Sequence, residues 1–160
     1  MNAAYFHIVL VHIPVILMPL GLILLVLGHL KHSITLARTA LGLLIVASAV
    51  TVPVFLLGEP AEEIVEHIAG ISHDIIEAHE ESAEIALWLA VSTGVMSVFA
   101  WWAIATGSAL ERLSLVVTTC IALITSVSLA YTAHQGGKIR HPEAFSTTTD
   151  EAPSKGDGPH

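Results

Sequence analysis

The sequence predicts an all-α integral membrane protein, an antiparallel up-down four-helix transmembrane bundle with an amphipathic acidic surface helix between its second and third crossings. Three observations carry that prediction. Four apolar runs, at residues 4–30, 36–57, 85–106 and 113–133, are each long enough to cross a hydrocarbon core of ~30 Å as a helix. Hydrophobic residues make up 54% of the chain and charged ones 12%, far from the balance of a soluble domain. The connections at 30–36 and 107–112 are short, and short connections set consecutive helices side by side and antiparallel. At 160 residues the chain suits one domain, read as 1–145, with a tail at 146–160, STTTDEAPSKGDGPH, too polar to join a core.

The first run, AYFHIVLVHIPVILMPLGLILLVLGHL, carries no formal charge until Lys31. No basic region precedes it and no small-residue cleavage pattern closes it, so it is expected to stay as a membrane helix. Pro14 and Pro19 free the carbonyls of Leu10 and Val15. Two outcomes are open: a tolerated kink, or a distortion that aims His12 into the bundle. The second run has no charged residue after Arg38 and ends in GEP, where Pro60 suits the first turn of a new helix.

Residues 59–84 hold nine acidic residues, three histidines and no lysine or arginine. Ile64, Val65, Ile68, Ile71, Ile75 and Ile76 recur at helical spacing, which predicts an amphipathic surface helix, broken at Gly70 and Ser72. The helix that restarts there is expected to run straight into the third crossing. In that crossing Ala90 and Gly94 permit close helix contact, and Trp101 and Trp102 suit an interfacial belt. The fourth crossing is followed at once by His134, Gln135, Gly136 and Gly137.

An even number of crossings puts both termini on one side. Lys31, Arg38 and Arg112 flank the two short turns, against Lys138, Arg140 and Lys155 at the other end. The turns are read as cytoplasmic and the termini as periplasmic, in a bacterial inner membrane. A net charge of -8 excludes nucleic acid as a natural partner. The single cysteine, Cys120, excludes an internal disulfide, and no C-x-x-C-H exists for c-type haem.

Ten histidines are the compositional oddity. Counting ~20 residues back from the turn end of each helix places His12 just inside the opposite boundary, with His7 and His134 just outside. The same count sets His79 about 10 Å further out. His67, His73 and His141 share that side, while His29 and His32 sit at the turns as ordinary interfacial residues. His7 and His12 lie about 140° apart on a straight helix and do not readily bind one metal together. His67 with Glu63, and His73 with Glu77, have spacings compatible with Cu or Zn, and equally with a solvated acidic surface.

A histidine at an apolar crossing needs partners for its ring nitrogens, either a ligand or a bundle carbonyl. Among ligands, haem b held by two histidines fits best, since neutral imidazoles on facing helices can bind iron axially. His12 and His79 are the expected metal ligands, with His7 and His134 as alternatives and Arg140 or Lys138 available to the propionates. Their depths disagree by more than a turn unless the third crossing sits lower than counted.

These motifs resemble a bacterial family of small four-helix membrane proteins catalogued as a domain of unknown function. Members open with a pattern like HPxxVHFPI. Here that stretch is HIVLVHIPV, matching at His7, His12 and Pro14, with Ile8 in place of the proline. The likeness continues in GEPAEE, in AHEESA with His79, and in GGKIRHPE with Gly136, Gly137, Arg140, His141 and Pro142. The resemblance implies a partner of respiratory or redox proteins, since some relatives are fused to iron–sulfur domains. It raises His7, His12, His79 and His141 above His67 and His73.

Three functions follow as expectations. The first is a membrane-embedded b-type cytochrome whose acidic segment steers a basic periplasmic partner, such as a c-type cytochrome. The second is a Cu or Zn protein using the His/Glu cluster. The third is a non-catalytic membrane subunit, with a homo-oligomer also open. Only serine and threonine supply polar atoms deep in the crossings, which disfavours an ion path. No nucleophile–base pair, phosphate loop or carboxylate dyad supports a hydrolase or transferase.

Overall fold

The computed structural model describes residues 2–65 and 73–140. All its regular structure is helical: α1 (Ala3–Leu30), α2 (Ile34–Leu56), α3 (Gly58–Val65), α4 (His73–Thr106) and α5 (Glu111–Arg140). Four of these, α1, α2, α4 and α5, are long and apolar enough to cross a membrane. The chain is a multi-pass membrane protein built as a four-helix bundle.

Around the bundle, α1 lies along α2 and α5, and α4 lies along the same two neighbours. Helices α1 and α4 therefore occupy one diagonal. The short acidic α3 follows α2 after a single residue and folds back against the start of α1. The end of the bundle that holds Asn2, α3 and the last turns of α5 is termed the terminal end, and the opposite end the turn end.

Both tight connections at the turn end close in the same way. The Ser33 N–H donates to the Gly28 carbonyl at 2.9 Å and His32 N–H to His29 at 3.3 Å, while Ser108 N–H donates to Ala103 at 3.0 Å. This six-to-one closure needs a left-handed residue just past the helix. Gly107 supplies it at φ +63° after α4, but His32 supplies it at φ 49° after α1. His32 is exposed, so its ring gains little there. His32→Gly is expected to stabilise the protein by about 1 kcal/mol by removing the Cβ clash of that conformation. Unfolding in detergent measures it, and a lower midpoint would contradict this account of the turn. Ser33 then opens α2, its hydroxyl accepting from Leu36 N–H at 3.4 Å.

The middle of the bundle is packed through small residues. Ala40, Ala47, Ala90, Ala100 and Ala122 are fully buried beside Met18, Leu25, Leu41 and Leu44. A Cβ on Gly94 would lie 2.7 Å from that of Ser48, so α4 and α2 meet almost backbone to backbone. The buried hydroxyls are mostly spent locally: Ser97 and Thr118 donate to the carbonyls four residues earlier, at 2.7 and 2.8 Å. Thr93 and Thr125 join α4 to α5 through an oxygen–oxygen contact of 2.8 Å.

Two sequence expectations change in detail. The fourth crossing does not stop near residue 133, because α5 continues through both glycines to Arg140. Its last turns are held by contacts to α4 described below. The prolines of α1 are absorbed without breaking the helix, and His12 points outward instead of into the bundle. The long α4 behaves as expected: at 34 residues it spans ~51 Å, well beyond a ~30 Å core.

Candidate functional site

At the terminal end the bundle brings two histidines together across its diagonal. His7, one turn into α1, and His79, two turns into α4, have ring centroids 6.4 Å apart and planes at 79°. The His7 Nδ1–H donates to the Val54 carbonyl of α2 at 3.0 Å. The His79 Nδ1–H donates to the Thr132 carbonyl of α5 at 3.1 Å. A carbonyl only accepts, so each Nδ1 carries the hydrogen. In the neutral ring, the lone pair is then on Nε2. All four crossings contribute: one diagonal supplies rings and the other supplies the carbonyls that fix them.

The two halves share a local device. Each accepting carbonyl has a glycine four residues later, Val54 with Gly58 and Thr132 with Gly136. A Cβ on Gly136 would lie 3.1 Å from His79 Cε1 and 3.5 Å from its Nδ1. That absent side chain is what lets the ring lie against α5. Gly58 is looser, its Cβ position being 3.9 Å from His7 Cε1.

His79 is further locked by a closed circuit between α4 and α5. Its ring donates to Thr132, the Thr132 hydroxyl donates to the Ser82 carbonyl at 3.0 Å, and the Ser82 hydroxyl donates to the His79 carbonyl at 2.8 Å. Gln135, only 7% exposed, donates from Nε2 to the Tyr131 hydroxyl at 3.1 Å. Its Oε1 is buried with no hydrogen-bond partner.

The other expected residues lie elsewhere. His12 is exposed and its Nδ1–H donates to the Ile8 carbonyl of its own helix at 2.7 Å. The ring that lies beside His79 is that of His7, also named from the sequence, and not that of His12. Five residues of helix, ~7.5 Å, separate His7 from His12, which removes the depth conflict. The His79 ring lies within 6.4 Å of that of His7, nearer than the count from the last residue of the crossing implied. His134 is exposed on α5, and Lys138 is half-buried two residues beyond Gly136. Arg140 ends α5 and is described by its backbone alone, while His67, His141 and the tail lie outside the described residues. Among the described residues no three His, Cys, Asp or Glu side chains converge as a metal site.

Sequence reasoning missed the glycine–carbonyl device and the proximity of His7 to His79. The available signal was symmetry: a histidine near the start of the first and third crossings, and a glycine at the close of the second and fourth. His29 also proves more specific than an interfacial residue. Its Nε2–H donates to Thr119 Oγ1 at 3.3 Å, tying α1 to α5 near the turn end.

In comparisons with known proteins, no family model matches the chain, and no curated protein or solved structure matches it either.

Proposed function

We propose that this protein is a membrane-embedded b-type cytochrome, with haem b held by His7 and His79 at the terminal end and electrons exchanged at the periplasmic face of a bacterial inner membrane. What supports the reading is the diagonal pair. Each ring gives its Nδ1–H to a backbone carbonyl, so each Nε2 would be available to a metal, and the ring centroids lie 6.4 Å apart. A tetrahedral zinc site would need two more ligands, and among the described residues no third His, Cys, Asp or Glu joins the pair.

When bound, haem b supplies a reversible one-electron ferric–ferrous couple. The protein's residues do the rest. The Val54 and Thr132 carbonyls hold each ring in the tautomer that presents Nε2 and raise its basicity as a ligand. The Ser82–Thr132 circuit prevents His79 from turning. Lys138 and Arg140, on the last turns of α5, are the cations available to propionates. Exposed Glu59, Glu77, Glu80 and Glu81 give this end a negative surface that steers a basic partner such as a c-type cytochrome. Lys31, Arg38 and Arg112 at the turn end favour a cytoplasmic turn end and periplasmic termini.

The test is an absorption spectrum of detergent-purified protein from haem-supplied cells, oxidised and then reduced, with a pyridine haemochrome assay. A Soret band and sharp reduced α and β bands at one haem per chain are expected. Featureless spectra would overturn the cytochrome, and stoichiometric copper or zinc in the same sample would assign the imidazole pair to that metal instead.

A further inference from the structure

We propose that the α2–α4 seam at the turn end binds one anionic phospholipid, its phosphate at Arg38 and its ester carbonyls at the Trp101 indole N–H. The seam is built there around a missing side chain. Trp101, near the end of α4, lays the six-membered edge of its indole on Gly42 of α2, where a Cβ would lie 3.4 Å from Cζ3 and 4.0 Å from Cη2. The N–H is on the other edge of the ring system, so it points away from Gly42. Trp101 is 40% exposed, and its N–H has no acceptor among the described residues. An indole at a membrane boundary with a free donor suits the carbonyls of the lipid interface.

Arg38 completes the arrangement. It precedes Gly42 by four residues, so it lies on the same face of α2, one turn or ~5.4 Å nearer the turn end. It is exposed, and no carboxylate pairs with it among the described residues. A helical side chain leans towards the N-terminus of its own helix, which carries this guanidinium outwards to phosphate depth. The guanidinium fork then meets the phosphate oxygens in pairs. From outside inwards the seam offers a cation and then an indole donor, the order of phosphate and ester in a glycerophospholipid. Ala49, two turns deeper on the same face, is small and exposed and leaves room for an acyl chain.

Charge selects the head. Helix α2 has no acidic residue and α4 has none after Glu84, so nothing in the seam holds the ammonium of a zwitterionic lipid. Glu111 is the one acidic residue at the turn end among the described residues, and it opens α5, which does not border this seam. The site is at the opposite end from the histidine pair and is independent of what that pair holds.

The experiment is native mass spectrometry of the full chain from micelles holding equal amounts of phosphatidylglycerol and phosphatidylcholine. One phosphatidylglycerol per chain is expected to be retained, preferred over phosphatidylcholine roughly fivefold. Arg38→Gln removes that preference and Arg38→Lys keeps part of it. Trp101→Phe, which keeps a ring and removes the donor, weakens retention about threefold. Arg112→Gln is the control. Arg112 is an exposed cation of the same end, but it lies two turns before Thr119 on the face of α5 that meets α1. The preference is expected to survive its loss. Equal retention of the two lipids overturns the proposal. So does a loss in Arg112→Gln as large as in Arg38→Gln, since the charge of the whole end would then act without a site. Retention that Trp101→Phe leaves unchanged overturns the placing of the ester at the indole.

Discussion

If the pair holds haem as proposed, His79→Ala is expected to abolish the low-spin haem spectrum of the purified protein and His7→Ala to do the same, whereas His12→Ala is expected to leave band positions and haem content unchanged. On that reading the two rings act as one site, so the loss from either deletion should match the loss from both. Removing a ring takes away a ligand atom itself. The expected fall in affinity therefore exceeds the 10–100-fold typical of losing a hydrogen-bond partner behind a ligand. His12 is the informative control. It lies on the same helix and has the same chemistry, yet it is exposed and bonded to its own turn. Difference spectra and haemochrome titration of the three variants measure this directly. A His12→Ala protein that loses its bands while His7→Ala keeps them would show the diagonal pair to be misassigned.

If the pair holds haem, Gly136→Val, which leaves both histidines in the sequence, is expected to cost at least tenfold in haem affinity. Its Cβ alone would come within 3.1 Å of His79 Cε1, and the added methyl groups have to displace the imidazole from the Thr132 carbonyl. Gly58→Ala provides the comparison. It places a Cβ at an ordinary 3.9 Å from His7 Cε1, at the first residue of α3, where the propensity gain of a helix interior does not apply. Gly58→Ala should thus retain any haem with little change in unfolding temperature. Equal haem retention in the two variants would mean that Gly136 does not position His79.

The bundle was legible because lipid leaves so few options: a run that long and apolar must satisfy its backbone internally, and a helix does so. The continuous α4 was equally legible, since nothing in HDIIEAHEESAEIALWLAV interrupts a helix. Depth was the weak point. Counting residues from the turn end assumes that every helix stops at the same plane, but α4 keeps its last turn beyond Trp102, and this error passed to His79. The outward turn of His12 was hidden for another reason. Side-chain direction depends on the rotation of α1 against α2 and α5, and a nearly all-apolar helix carries little pattern to report that rotation. Glycine usually ends a helix, but α5 runs on through Gly136, and the ring of another helix occupies the space that this glycine leaves.

The sharing of the diagonal pair between two helical hairpins has a consequence for biogenesis. The first hairpin enters the membrane with one imidazole and one carbonyl cradle, and the second brings the other of each. If the pair holds haem, neither hairpin could capture it alone, so occupancy would report that the halves have docked. Helices α1 and α4 face each other across the bundle and do not pack as neighbours. A ligand clasped there favours the docked state by mass action, about 4 kcal/mol at a thousandfold excess over its dissociation constant. Cofactor supply would then set how much newly inserted chain escapes proteolysis, and a pulse-chase in haem-starved cells should show the protein turning over faster than in replete ones.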